Sequence, residues 1–533
     1  MKRITHRNQP TFVHQKKDML NRMFAAAVHG VHALPITIEI DVYGGDFGYT
    51  LVGLPDKSVQ ESRERIAVAF KNNGFQWPRQ RVSINMAPAD VRKEGSSYDL
   101  PLALGILRSS GQVHWALDER WLVMGELALD GSLKPVKGIL PMAVLAKEMG
   151  FSGMIIPSEN AAEAALVEGL FIRHAANLKS IVRLVEDAEA EPNAIPFPTE
   201  TEETTFPEFS DFSEVRGQES IKRALEIAAA GGHNALLIGP PGAGKSMLSK
   251  RLPSILPPMS MEESLESTKI HSVSGKLSGK VSQLITQRPF RSPHHTVSAI
   301  GLIGGGSVPQ PGEISLAHHG VLFLDELPEY PRTVLEVLRQ PLEDRKVCIT
   351  RARMSLEYPA NFMLVGSMNP CPCGYFNHPT KRCSCSPETV RKYLNRISGP
   401  LLDRIDLHVE VTPVSFDELT APPQATSEPS AAIRARVVRA RQVQLARLRH
   451  SGVFANAQMS SSQTKTHCRL DAGSLGLLKN AMEKLGLSAR AYDRILKVAR
   501  TVADLDQSES IRAVHLAEAI QFRTLDREDW GLR

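Results

Sequence analysis

The stretch Gly239-Pro240-Pro241-Gly242-Ala243-Gly244-Lys245-Ser246 constrains this chain more than any other. It fits G-x-x-x-x-G-K-[ST], follows the apolar run Ala235–Ile238 and precedes a segment of helical character, Met247 to Leu252. Strand, glycine turn, helix is the context this motif requires. The glycines let backbone N–H groups turn inward around phosphate oxygens. Lys245 brings a positive charge to the β- and γ-phosphates, and the Ser246 hydroxyl can ligate Mg²⁺. Gly239 through Met247 are therefore the expected nucleotide-binding residues, with ATP and Mg²⁺ as cofactors.

Two further apolar runs, Val321–Leu324 and Phe362–Ser367, read as strands of a parallel sheet covered on both faces. The first ends in Asp325-Glu326. Carboxylates at the C-terminal end of such a strand face the ligand side of the sheet. Asp325 is the expected Mg²⁺ partner and Glu326 the group that orients and deprotonates the attacking water. The second run ends in Ser367-Met368-Asn369, where the Asn369 amide can meet the γ-phosphate or the water.

A chain of 533 residues is too long for one core. Residues 191–211 carry six acids and no base, are rich in Pro and Thr, and read as a linker, assigned to 189–211. Before it, alternating Ile36–Val42, a helix over Ser58–Asn72, a strand at Val82–Met86 and a buried helix at Leu100–Leu107 predict a mixed α/β domain over 19–188. Residues 1–18 form an extension with no function assigned. After the linker come a nucleotide core (212–420), an Arg-rich helical insertion (421–468) and a helical C-terminal region (469–533). No apolar run of about 18 residues suits a membrane span, and the N-terminus lacks a secretory core, so a cytoplasmic protein without membrane contact is expected.

Six cysteines occur, four of them as two C-x-C pairs: Cys371, Cys373, Cys383 and Cys385. Neighbours two apart do not pair easily as disulfides, and four thiolates brought together suit a closed structural Zn²⁺ site.

Residues 431–470 contain no acid, and their helix carries Arg434, Arg436, Arg439, Arg441, Arg447 and Arg449. This is the clearest electrostatic candidate for a DNA backbone. Ile300-Gly301-Leu302-Ile303-Gly304-Gly305-Gly306-Ser307 is the candidate for a moving loop. No motif that reads bases in the major groove is visible, so contact without sequence preference is expected.

The nucleotide residues resemble those of AAA+ ATPases. Pro311–His318 running into Gly320–Leu327, Gly399–Asp406 and Arg291–Thr296 resemble the magnesium-chelatase-like group. With Val52–Asp56 and Glu61–Arg65 added, nearly the whole chain, from about Met19 to Arg523, resembles the ComM/YifB family. That resemblance implies an α/β fold of three parts: an N-terminal Lon-protease-like (ribosomal S5 domain 2-like) domain, an AAA+ P-loop αβα core and a C-terminal helical lid. It implies a homohexameric ATPase that binds branched or single-stranded DNA and drives branch migration in homologous recombination or natural transformation. It also implies that Arg404 is an arginine finger reaching a neighbour's ATP, and that Arg490, in Ser488-Ala489-Arg490, contacts the phosphates from the lid.

Two other readings remain open. One is a magnesium-chelatase-like motor subunit. The other is a Lon-like protein remodeller or peptidase: Lys93–Pro101 resembles the serine region of Lon-type proteases, with Ser97 on the serine. Leu140, however, falls where their lysine stands, and Lys137 lies three residues early.

Overall fold

A computed structural model describes residues 20–189, 211–277, 284–306, 309–351, 354–378, 380–413, 428–449 and 451–523. The extension 1–18, almost all of the expected linker and the first residues of the expected insertion lie outside the described residues. The chain divides into two compact units, one on either side of the acidic stretch.

The first unit is built on a seven-stranded mixed sheet. Its order is Gly48–Val52, Arg81–Ala87, His32–Tyr43, Asn21–His29, Trp121–Val123, Gly153–Pro157, Phe171–Ala175. The alternation of Ile36, Ile38 and Ile40 turns all three inward, and each is fully buried. The helices Asp99–Ser109 and Ile139–Glu148 cover these strands. Asp99 is carried into the interior at the head of its helix, where Arg65 grips both carboxylate oxygens at 2.8 Å. The Ser62–Asn73 helix buries Ile66 and Phe70 against the same core.

The second unit holds five parallel strands in the order Phe290–Arg291, Val321–Leu324, Met363–Met368, Ala235–Ile238, Leu407–Glu410. Every residue of the three strands expected from apolar runs is buried, as a sheet covered on both faces demands. The Met363–Met368 strand lies between the strand carrying the glycine loop and the one ending at Asp325. Glu219–Gly231, Ser430–Arg447 and Ala489–Leu505 pack on one another beside this sheet, and Ala472–Leu485 and Ala513–Gln521 complete a helical C-terminal region.

Two expectations need correction. The glycine stretch from Ile300 is not an open loop. Ala299–Ile303 is a short helix with Leu302 fully buried, and Gly304–Gly305 pair with Gln310–Pro311 as a hairpin. Gly304 is required for close approach: a Cβ there would stand 2.2 Å from Gln310 O. Ser307 lies outside the described residues.

The Arg-rich helix, the expected candidate for DNA, offers fewer free arginines than its sequence suggests. Ile433, Val437, Ala440 and Gln444 face the core, and the arginines flanking that face are drawn into internal contacts. Arg436 pairs with Glu226 at 2.5 Å and with Glu428. Arg441 donates to the carbonyls of Ala229 and Ala230 at 2.9 and 3.0 Å, at the C-terminal end of the Glu219–Gly231 helix, where a cation meets the negative end of the helix dipole. Arg447 binds the buried Asp504. Only Arg434, Arg439 and Arg449 of the six are exposed.

Candidate functional site

The glycine loop leaves the C-terminal end of its strand, and Gly239 N donates to Met368 O of the neighbouring strand at 3.2 Å. Gly244, at φ +86°, turns the chain into the Lys245–Arg251 helix; only glycine takes that conformation freely. The loop's exposed Pro241 and Gly242 leave its rim open, while Ala243 is buried beneath. Met247 points outward.

Lys245 Nζ donates to Gly239 O at 2.7 Å, Pro240 O at 2.9 Å and Asn369 Oδ1 at 3.1 Å. Burial lowers its pKa, and the charges of Asp325 and Glu326 oppose that shift. The amine is thus held in the hollow of the loop by carbonyl oxygens that an anionic phosphate could replace. The structure brings Asn369 into this site as well.

Ser246 Oγ donates to Asp325 Oδ2 at 2.7 Å. The other Asp325 oxygen accepts from Glu326 N at 3.1 Å and from Ser367 Oγ. Ser367 was not singled out from sequence, although its place at the end of an apolar strand was the available signal. Glu326 stands in the left-handed region (φ 53°, ψ 47°), which turns its side chain out of the strand line into solvent. His295 Nδ1, from the segment after the Phe290–Arg291 strand, lies 3.8 Å from Glu326 Oε2. The sequence contained this histidine within Arg291–Thr296 without revealing its neighbour.

Arg404 and Arg490 lie elsewhere. Asn234, just before the loop-bearing strand, accepts from Asp406 N and Leu407 N through its carbonyl at 3.0 Å, and its Nδ2 donates to Arg404 O at 3.0 Å. Arg404 is therefore at the N-terminal ends of the strands. The four residues of Ala235–Ile238, on the order of 13 Å of strand, separate it from its own glycine loop. Its guanidinium is turned inward, donating to Pro400 O at 2.6 Å and pairing with Glu343 at 2.5 Å. Arg490 Nη1 is 3.6 Å from Asp403 Oδ2, at the same end, with its side chain exposed. The two arginines are thus near each other and away from Lys245.

The four cysteines converge. Their sulfurs all lie within 4.8 Å of one another, with Cys371–Cys373 at 3.3 Å, Cys373–Cys383 at 3.5 Å and Cys371–Cys383 at 3.7 Å. Thiolates at about 2.3 Å from a tetrahedral Zn²⁺ would be about 3.8 Å apart, so the set fits that ion. Burial raises the pKa of Cys383 and Cys385, and the neighbouring sulfurs add to this, whereas Cys373 is lowered against its burial by backbone N–H groups of Tyr375 and Ser384 and by the adjoining sulfurs.

A second cluster, Glu266, His318 and His319, was not foreseen. Asn361 N donates to His318 Nδ1 at 3.0 Å, which puts the ring proton on Nε2, toward Glu266 Oε2 at 3.2 Å. With that nitrogen protonated, His318 has no lone pair there for a metal, and the cluster is a hydrogen-bonded brace.

In the first unit, Leu140 is buried at the start of its helix, with its N–H on Glu163 Oε1 at 3.0 Å, and Lys137 is exposed. Among the described residues no hydrogen bond joins Ser97 to a lysine. The nearby buried Lys93 turns its amine to Pro88 O instead.

Family models agree with this architecture. A model described as magnesium chelatase, subunit ChlI, matches residues 211–419. A second, subunit ChlI of Mg-chelatase, matches 38–160, and the ChlI C-terminal model matches 427–523. Among curated relatives, a protein named YifB from Escherichia coli is 42% identical over 508 residues, 95% of this chain and 98% of the relative. The competence protein ComM of Haemophilus influenzae is 42% identical over 514 residues, 95% of this chain and 97% of the relative. The magnesium-chelatase 38 kDa subunit of Rhodobacter capsulatus is 26% identical over 177 residues, 30% of this chain. No helix among the described residues is long and apolar enough to cross a membrane. With matches of this length and identity, the chain belongs to the ComM/YifB family of magnesium-chelatase-like AAA+ proteins.

Proposed function

We propose that this protein is a cytoplasmic, ATP-hydrolysing hexameric motor that binds DNA and moves branch points during recombination or natural transformation. The observation that carries the energy source is the convergence of Lys245, Ser246, Asp325 and Asn369 at one end of a parallel sheet. Lys245 exchanges its carbonyl partners for phosphate oxygens. Ser246 and Asp325 hold Mg²⁺, which when bound neutralises charge on the β- and γ-oxygens. Glu326 takes the proton of the attacking water, and Asn369 orients that water against the γ-phosphate.

The position of Arg404 supports the ring. An arginine finger at the opposite end of its own sheet has no phosphate to serve within the subunit; it completes a neighbour's site once its guanidinium swings out from Pro400 O and Glu343. Arg490, exposed beside Asp403, keeps the assignment the resemblance gives it, contact with the phosphates from the C-terminal helical region, and from this place the phosphates are a neighbour's. The Cys371, Cys373, Cys383 and Cys385 set is assigned to one structural Zn²⁺.

DNA as the polymer is supported by the near-complete alignment with a relative named for competence. The exposed Arg434, Arg439 and Arg449 offer backbone contacts. The first unit is assigned to the Lon-like type in a non-proteolytic role, since among the described residues no lysine amine hydrogen-bonds to Ser97. A chelatase role is less well supported, because the chelatase subunit aligns with 30% of this chain. The deciding assay is ATPase rate without polymer and with single-stranded DNA, a branched junction or unfolded protein. Stimulation by the junction above all others is expected; stimulation by unfolded protein alone would favour the remodeller.

A further inference from the structure

Between Met368 and Gly374 the chain touches the glycine loop three times. Met368 O accepts the Gly239 N–H at 3.2 Å, and Asn369 Oδ1 accepts from Lys245 Nζ at 3.1 Å. Gly374, buried at φ +83°, lies flat against Pro241: a Cβ added to it would stand 2.5 Å from Pro241 Cδ. Two of the four converging cysteines, Cys371 and Cys373, are inside this same stretch. Gly374 N–H closes a turn onto Cys371 O at 2.9 Å. Among the described residues from 369 to 386 there is no helix or strand. No backbone ladder therefore fixes Gly374 against Pro241. The convergence of Cys371 and Cys373 with Cys383 and Cys385 is what draws the two ends of this segment together.

The geometry points to a second role for the cysteine cluster: with its metal bound, it sets the position of the phosphate loop, so metal occupancy and nucleotide affinity are coupled. This rests on the ATP-site and zinc readings given above. A metal ion joins Cys371 and Cys373 to Cys383 and Cys385, which stiffens the turn, seats Gly374 on Pro241 and keeps Asn369 beside Lys245. Without it the thiols spread, and the loop loses the wall behind Pro241. Coupling of this kind is reciprocal, so nucleotide must also alter the metal's surroundings.

The test uses the full-length protein with Zn²⁺ exchanged for Co²⁺, whose ligand-field bands report the thiolate geometry. Adding an ATP analogue that is not hydrolysed is expected to shift those bands. Gly374→Val is expected to keep one metal per chain yet bind the fluorescent analogue about tenfold more weakly, because its Cβ clashes with Pro241 Cδ and its backbone at φ +83° is strained, both of which displace Pro241. Bands that ignore nucleotide, with wild-type nucleotide affinity in metal-loaded Gly374→Val, overturn the coupling and leave zinc as a simple staple. Absence of metal from the wild-type cysteines overturns the zinc reading and the coupling together. A wild-type protein that binds metal but no nucleotide overturns the ATP site instead.

Discussion

Ser246 Oγ lies 2.7 Å from Asp325 Oδ2, although the strands that lead to them, Ala235–Ile238 and Val321–Leu324, are not neighbours in the sheet. The Met363–Met368 strand separates them and supplies Ser367 and Asn369, so three strands build one site. Hydroxyl and carboxylate thus stand together as a pair of oxygen ligands of the kind Mg²⁺ takes.

The hydrolytic roles separate by substitution. Lys245→Ala is expected to weaken nucleotide binding. Glu326→Gln is expected to bind ATP as the wild type does while turnover falls at least about 100-fold, since only the base is lost. Steady-state ATPase with a parallel binding titration measures both. Wild-type turnover in Glu326→Gln would remove Glu326 from its assigned role.

Arg404→Ala protein alone is expected to be inactive. Mixed with Lys245→Ala subunits it should recover part of the ATPase, because one intact composite site can form between the two kinds of subunit. Arg490→Ala is expected to behave the same way, given its place beside Asp403. Full activity of Arg404→Ala as a monomer would contradict a split site.

The Arg-rich helix divides into two classes. Arg447→Ala removes a partner from buried Asp504, which Arg500 and Asn456 still contact, and is expected to cost about 2 kcal/mol of stability. Arg434→Ala and Arg439→Ala are expected to leave stability within about 0.5 kcal/mol. Each should instead reduce the slope of log affinity for DNA against log salt by about one. Denaturant melts and salt titrations of binding read the two effects apart.

Acid is expected to destabilise the second unit through two buried histidines. Burial pushes His318 down to about 4, and burial likewise pushes His271 down to about 4. Both stay neutral in the fold while the unfolded chain takes up protons from about pH 6.5 downward. Stability therefore falls as pH drops from about 6.5 to 4, by up to about 3 kcal/mol for each histidine. His271→Gln should flatten that limb in a pH series of Tm values.

What could be read from the chain follows the range of the forces involved. The strands Ala235–Ile238 and Val321–Leu324 were legible to the residue, because burial on both faces leaves a continuous apolar run. The loop glycines, Lys245 and Asp325 were legible because phosphate and metal binding demand fixed residue types at fixed spacing. The inward turn of Arg436, Arg441 and Arg447 was not, since their partners Glu226, Ala229, Ala230 and Asp504 are remote in sequence. The same holds for His295 beside Glu326 and for Gly374 against Pro241. The glycine-rich run at 300–306 misled because glycine serves close backbone approach as well as flexibility.

In the proposed function, ATP hydrolysis at Lys245, Asp325 and Glu326 moves a DNA branch point. The most direct measurement is a synthetic Holliday or three-strand junction incubated with full-length protein, Mg²⁺ and ATP, with product strands resolved over time. Products of branch movement are expected with the wild-type protein and none with Glu326→Gln, and binding should weaken steeply with salt. Failure of the ATP-loaded wild-type protein to bind the junction at low salt, or binding without any ATP-dependent movement, would contradict the proposed function.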